Sequence, residues 1–140
     1  THTVNADQTP LFVQLFQDLD YVLERMAETP SKDGAVLADD TIVVVLSLLG
    51  RTPAYNGTLG RDHWPYTSAL LIGPGITGDR TIGGFTDLYA GVGVDPATGD
   101  LDESRPGIDA KAFGATLRAL AGLDPAEHMN DPEVIEGVLS

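Results

Sequence analysis

The residues best suited to chemistry sit in one loop, "GRTPAYNGTLGRDHW" at positions 50–64. Gly50, Gly57 and Gly60 punctuate a segment that delivers Arg51, Arg61, Asp62, His63 and Trp64. A guanidinium holds an oxyanion through two parallel N–H bonds, so Arg51 and Arg61 are candidates for binding phosphate or sulfate. Asp62 and His63 set a hard and a borderline ligand side by side, a donor pair suited to zinc, manganese or iron. His63 could instead serve as general acid or base, with Trp64 packed beneath the pair. A structural role competes with these. In it Asp62 caps a turn, His63 bonds a backbone carbonyl, and Arg51 pairs with Asp39 or Asp40. Residue types alone leave both readings open.

Other candidates carry less. Thr1 at the chain start invites comparison with N-terminal nucleophiles, whose freed α-amine activates the hydroxyl. Those sites lie on a strand, whereas "THTVNADQTP" leads into a helix. The stretch "DPATGDLDES" offers Asp95, Asp100, Asp102 and Glu103, but it lacks the spacing of a helix–loop–helix calcium site and reads as a solvated acidic loop. His128 has no ligand partner at helical spacing and reads as a surface residue.

The loop must be held by the elements around it. Leu11, Phe12, Leu15, Phe16, Leu19, Val22, Leu23 and Met26 recur on one helical face. Thr9 is placed to cap that helix, Pro10 fits its first turn, and Pro30 ends it near Thr29. "TIVVVLSLL" at 41–49 is β-branched and apolar on both faces, the pattern of a strand buried in a parallel sheet. "TSALLIG" at 67–73 reads as a second such strand, and "RTIGGFT" as a short edge strand or hairpin arm. Residues 91–107, rich in Gly, Pro and Asp, read as a loop. "IDAKAFGATLRALAG" is a second amphipathic helix, with Asp109 as cap and Ile108, Phe113, Leu117 and Leu120 inward. The tail carries at most a short helix.

The order of elements implies an α/β fold with helices flanking a mostly parallel sheet. In open sheets of that kind ligands bind beyond the carboxyl ends of the strands, where loop 50–64 would lie. Strand 41–49 wants neighbours on both edges, and the chain offers few. The expectation is therefore one portion of a larger domain, residues 1–140, whose sheet is completed by another protein chain in a hetero-oligomer or by sequence not present here.

Composition bounds the function. The 140 residues carry a net charge of −13, with 21 acids against 8 bases. Nucleic-acid binding needs a basic stripe, which this chain lacks. Anionic membrane surfaces are disfavoured for the same reason. There is no Cys, so disulfides, thiolate catalysis and Cys-ligated zinc are excluded. No apolar run approaches the ~20 residues of a membrane span. The chain opens at Thr1 without Met, which suggests processing or cutting from something longer.

"GRTPAYNGTLGRDHWPYTSALLIGPGITG" resembles the carboxyl-terminal region of a bacterial family of secreted, sulfatase-like proteins, domain of unknown function 1501, in the alkaline-phosphatase superfamily. Its members carry "SEFGRTP", "GRDHW", an apolar strand and a glycine-rich turn. "THTVNADQ" is similar to a family segment containing "DTH", and "IDAKAFGATLRALAGLDP" to the last family helix. The resemblance implies a partial alkaline-phosphatase-like sheet, two metal ions, and a periplasmic or extracellular location. It makes His2, Asp62 and His63 metal ligands, for zinc, manganese or calcium, and Arg51 the catalytic residue that holds the oxyanion. Two departures stand out. Leu48 replaces the acid of "SEFGRTP", and the Asp of "DTH" would precede Thr1. A two-metal clamp needs several anionic ligands. The expected function is thus a degenerate, non-catalytic sulfatase- or phosphatase-like subunit with a structural or binding role; the alternative is a metal-dependent hydrolase of phosphate or sulfate esters.

Overall fold

The computed structural model describes residues 2–140, and all of their side chains except that of Asp33. Thr1, weighed above as a nucleophile, lies outside the described residues. The chain forms two compact units, 1–74 and 75–140.

The first unit opens with a 3-10 turn at Asn5–Asp7 and the long helix α1, Gln8–Glu28. The helix starts earlier than the Thr9 cap would have it, with Asp7 at the cap position and no side-chain cap bond. It ends as Pro30 requires: Thr29 is already extended at φ −90°, ψ 122°. A short helix α2, Leu37–Asp40, follows, its entry held by the Val36 N–H on the Asp39 carboxylate at 3.1 Å. Strand β1, Val43–Leu46, pairs with β4, Ala69–Ile72. Between them the connection doubles back through a small ladder of β2, Gly50–Arg51, and β3, His63–Trp64.

The second unit holds β5 (Gly84–Phe85), β6 (Gly91–Val94) and β7 (Leu101–Pro106) in one sheet, in that order. Helix α3, Ala110–Leu120, is capped by Asp109, whose carboxylate accepts from the Ala112 N–H at 2.8 Å. Its core consists of Val94, Ala112 and Ile135, with Ile82 and Val138 packed against it. Two 3-10 turns, Pro125–Glu127 and Glu136–Val138, complete the tail.

All the strand pairings are antiparallel. This corrects the mostly parallel, alkaline-phosphatase-like sheet that the apolar strands and the resemblance implied. A parallel pair needs a crossover, usually a helix. Segment 47–68 contains no helix and reverses on itself, so β4 returns alongside β1 in the opposite sense. Nor are the strands buried on both faces: no residue of β1 or β4 is fully buried.

Residues 91–107 also differ from expectation. They form β6 and β7 rather than a loop. Glycine at alternate positions of β6 hides its period, and "LDESRP" has no apolar alternation to reveal β7. What joins them is turn chemistry. Asp95 Oδ1 accepts from the Ala97 N–H at 2.8 Å, and the Gly99 N–H reaches Asp95 O at 2.7 Å. On α3 the fully buried side chains are Ala112, Ala115 and Thr116. The larger Phe113, Leu117 and Leu120 are half-buried, and Ile108 is 39% exposed. Small side chains let the 135 segment approach the helix closely.

Thr116 ties that approach together. Its hydroxyl donates to Ala112 O at 2.8 Å and accepts from the Ile135 N–H at 2.9 Å. Thr116→Val keeps the shape but leaves a buried N–H unpaired, a loss of about 1–3 kcal/mol. Denaturant unfolding should show that loss. An unchanged midpoint would mean that Ile135 finds another acceptor.

Candidate functional site

The candidate residues converge on the β2–β3 ladder. Gly50 begins β2 because nothing larger fits: a Cβ there would lie 1.6 Å from Tyr66 O. Arg51 follows and stands directly opposite His63 in the antiparallel register, so the two share a face of the ladder. The pairing continues beyond the strands, with the Thr52 N–H on Asp62 O at 3.0 Å and the Asp62 N–H on the Thr52 hydroxyl at 3.1 Å.

His2 joins from the far end of the sequence. Its Nε2 lies 3.6 Å from Asp62 Oδ1, an ion-pair distance when the imidazole is protonated. Its ring meets that of His63 edge-to-face, with centroids 5.5 Å apart. Gly60 permits this approach, since a Cβ at that position would lie 1.8 Å from His2 O. The Asn5 N–H donates to Leu59 O at 3.1 Å and fastens the segment a second time. Leu59 holds the left-handed conformation, φ 60°, which a branched side chain adopts only under strain. The cluster is open to solvent, with the side chains of His2 and Asp62 more than half exposed.

The arginines are tied into the loop. Arg51 Nη1 donates to Arg61 O at 3.2 Å, not to Asp39 or Asp40. Arg61 Nη1 donates to Thr52 O at 3.0 Å and Pro53 O at 2.6 Å, and its guanidinium lies 4.6 Å from the centre of the Tyr55 ring. Asp39 and Asp40 are engaged elsewhere, by the Val36 N–H and the Ser31 hydroxyl respectively. Leu48, where the resemblance places a carboxylate, stands 96% exposed between β1 and β2.

Two imidazoles sharing one tetrahedral zinc, with bonds of ~2.1 Å, place their centroids roughly 5 Å apart. The His2 and His63 centroids have a similar separation in their edge-to-face contact, and Asp62 lies beside His2. A complete site is not formed. Among the described residues, no three His, Cys, Asp or Glu side chains are grouped so as to hold a metal ion. The arrangement brings two imidazoles and one carboxylate near one another, short of a group that could hold a metal ion.

Asn56 is the residue that sequence reasoning missed. Its side chain bonds both His2 O and Asp62 Oδ1 at 2.9 Å. The signal was present in the Asn-Gly dipeptide at 56–57, which marks a turn whose Asn side chain bonds nearby backbone.

The acidic stretch 95–104 is occupied by turn-making. Asp102 accepts from the Ser104 hydroxyl at 2.6 Å and its N–H at 2.9 Å, and these bonds, with the nearby Arg105, hold its carboxyl below the usual range. Asp100 faces Arg80 at 3.4 Å. His128 is exposed, as expected. Among the described residues no helix is long and apolar enough to cross a membrane.

Comparison with known proteins gives a family and no function. No curated protein and no solved structure matches the chain. A family model described as a protein of unknown function, DUF1501, matches residues 14–132, which include β1 to β7, α3 and the whole loop 50–64. The chain belongs to the DUF1501 family.

Proposed function

We propose that this chain is a non-catalytic portion of a larger assembly, a degenerate relative of the sulfatase- and phosphatase-like proteins that binds another polypeptide and keeps only half of a metal site. The observation that carries the reading is the state of α1. This 21-residue helix has no buried residue. Phe12 is 47% exposed and Phe16 56%, although both lie on its apolar stripe. Leu48 adds an apolar side chain, standing in solvent, to the same unit.

The surface area supports this reading. Two separate compact bodies, each of half this mass, would expose roughly 8,400 Å². The chain exposes 9369 Å². A two-stranded sheet such as β1–β4 is also marginal by itself in water and gains from a partner. The partner is a protein chain rather than nucleic acid, given 21 acids against 8 bases.

One observation favours the alternative, a metal-dependent hydrolase of phosphate or sulfate esters. Arg51 lies in register with His63. In that reading His2, Asp62 and His63 hold the metal, while the part of the Arg51 guanidinium not engaged by Arg61 O holds the oxyanion.

Elemental analysis and ester hydrolysis separate the two. The wild-type chain should carry at most one equivalent of divalent metal and turn over neither a phosphate nor a sulfate ester. Leu48→Glu supplies the missing carboxylate and should raise the metal content. Two equivalents and brisk hydrolysis in the wild type would establish the hydrolase instead.

A further inference from the structure

We propose that Asn56 is the positioning residue of the His2–Asp62–His63 cluster, an assignment that rests on the half-site reading for its metal arm and on geometry alone for the rest. Its carboxamide is engaged on both sides. Nδ2 donates to His2 O and to Asp62 Oδ1, each at 2.9 Å. Oδ1 accepts from the Thr58 N–H at 3.0 Å, the Thr58 hydroxyl at 2.9 Å and the Gly60 N–H at 3.0 Å. The main chain is held as well, with the Asn56 N–H on Gly60 O at 2.8 Å and the Leu59 N–H on Asn56 O at 3.1 Å.

This network admits one orientation of the amide. Flipping it would set Oδ1 against two acceptors, His2 O and Asp62 Oδ1, and turn the NH2 group toward the N–H groups of Thr58 and Gly60. The two ends therefore have separate jobs. Oδ1 builds the 56–60 turn. Nδ2 clamps a segment 54 residues away in sequence and fixes one oxygen of Asp62. That oxygen, Oδ1, is also the one that faces His2 Nε2 at 3.6 Å, so Asn56 holds both the His2 segment and the carboxylate oxygen turned toward its ring. Groups that orient a ligand in this way typically change metal affinity by about 10–100-fold when removed.

The separation of the two ends supplies the test. Asn56→Asp retains an acceptor for Thr58 and Gly60 but has no N–H to give; Asn56→Ala loses both functions. Imidazole resonances of His2 and His63 are followed by NMR in wild type and both variants, without metal and then on titration with Zn²⁺. In wild type the His2 signals should be displaced by the neighbouring His63 ring. In both variants they should move to random-coil positions, while Asn56→Asp keeps the wild-type signals of Thr58 and Gly60. Zn²⁺ affinity should fall at least tenfold in Asn56→Ala. If His2 keeps its wild-type shifts in Asn56→Asp, the positioning role is overturned, whatever the metal does. If wild type binds no Zn²⁺ yet both variants release His2, the half-site reading fails and the positioning role stands.

Discussion

Gly50→Ala should destabilise the first unit by about 3 kcal/mol, the upper end of overpacking costs, while Gly60→Ala should leave the unit folded and dismantle the candidate site. Both glycines face a backbone carbonyl that a methyl group would strike. At Gly50 the obstacle is Tyr66 O, 1.6 Å from the added Cβ, and Tyr66 is confined between β3 and β4. Neither β2 nor the 65–68 link can retreat without opening the β2–β3 and β1–β4 pairings. At Gly60 the obstacle is His2 O, at 1.8 Å. There a cheaper escape exists. The 2–5 segment is held to the loop by the Asn56–His2 and Asn5–Leu59 hydrogen bonds, together worth about 2 kcal/mol net. Releasing it relieves the clash and spares the rest. Trp64, the single tryptophan, pairs with Gly50 in the ladder. Its fluorescence should therefore show a midpoint lowered by roughly 10 °C or more for Gly50→Ala. For Gly60→Ala the midpoint should be nearly unchanged and the displaced NMR signals of His2 lost. Equal loss of stability in the two variants would mean that the N-terminal segment is integral to the unit rather than docked upon it.

In the isolated chain α1 should exchange its amide hydrogens much faster than the buried part of α3, because a helix with no buried residue draws little stability from tertiary packing. Amides of α3 around Ala115 and Thr116, where the helix is buried, should exchange about a hundredfold more slowly. The side chains give the same answer by another route. A core phenylalanine truncated to alanine costs about 3–5 kcal/mol. Phe16, 56% exposed, should cost under ~0.5 kcal/mol in the isolated chain, as surface positions do. If the proposed protein partner exists, its binding should slow α1 exchange and make Phe16→Ala costly to the complex. Strong protection of α1 in the isolated chain, together with a several-kcal/mol effect of Phe16→Ala, would show that α1 is already packed and would remove the main support for an assembly.

Much of the local structure was legible from the residues. The apolar period marked α1, Pro30 placed its end, and Asp109 placed the start of α3. The β-branched run marked β1, and the Gly-punctuated loop 50–64 marked where chemistry could reside. Those signals are local because they come from backbone geometry: a proline restricts the residue before it, and a short acceptor side chain satisfies the first N–H groups of a helix. The failures have one source. Periodicity reports which faces are apolar, not what covers them or in which direction a partner strand runs. "TIVVVLSLL" is equally compatible with a buried parallel strand and with the half-exposed antiparallel β1 that forms. Strand direction was decided by the helix-free connection 47–68, and the exposure of Phe12 and Phe16 by packing on α1 that reaches Leu19, Leu23 and Met26 instead, which are half-buried. Tertiary structure alone brought His2 to Asp62 and His63, across some sixty positions, through a carboxamide and a missing Cβ whose distant partner no pattern along the chain names. Such contacts depend on the relative placement of distant backbone segments, which no local preference encodes.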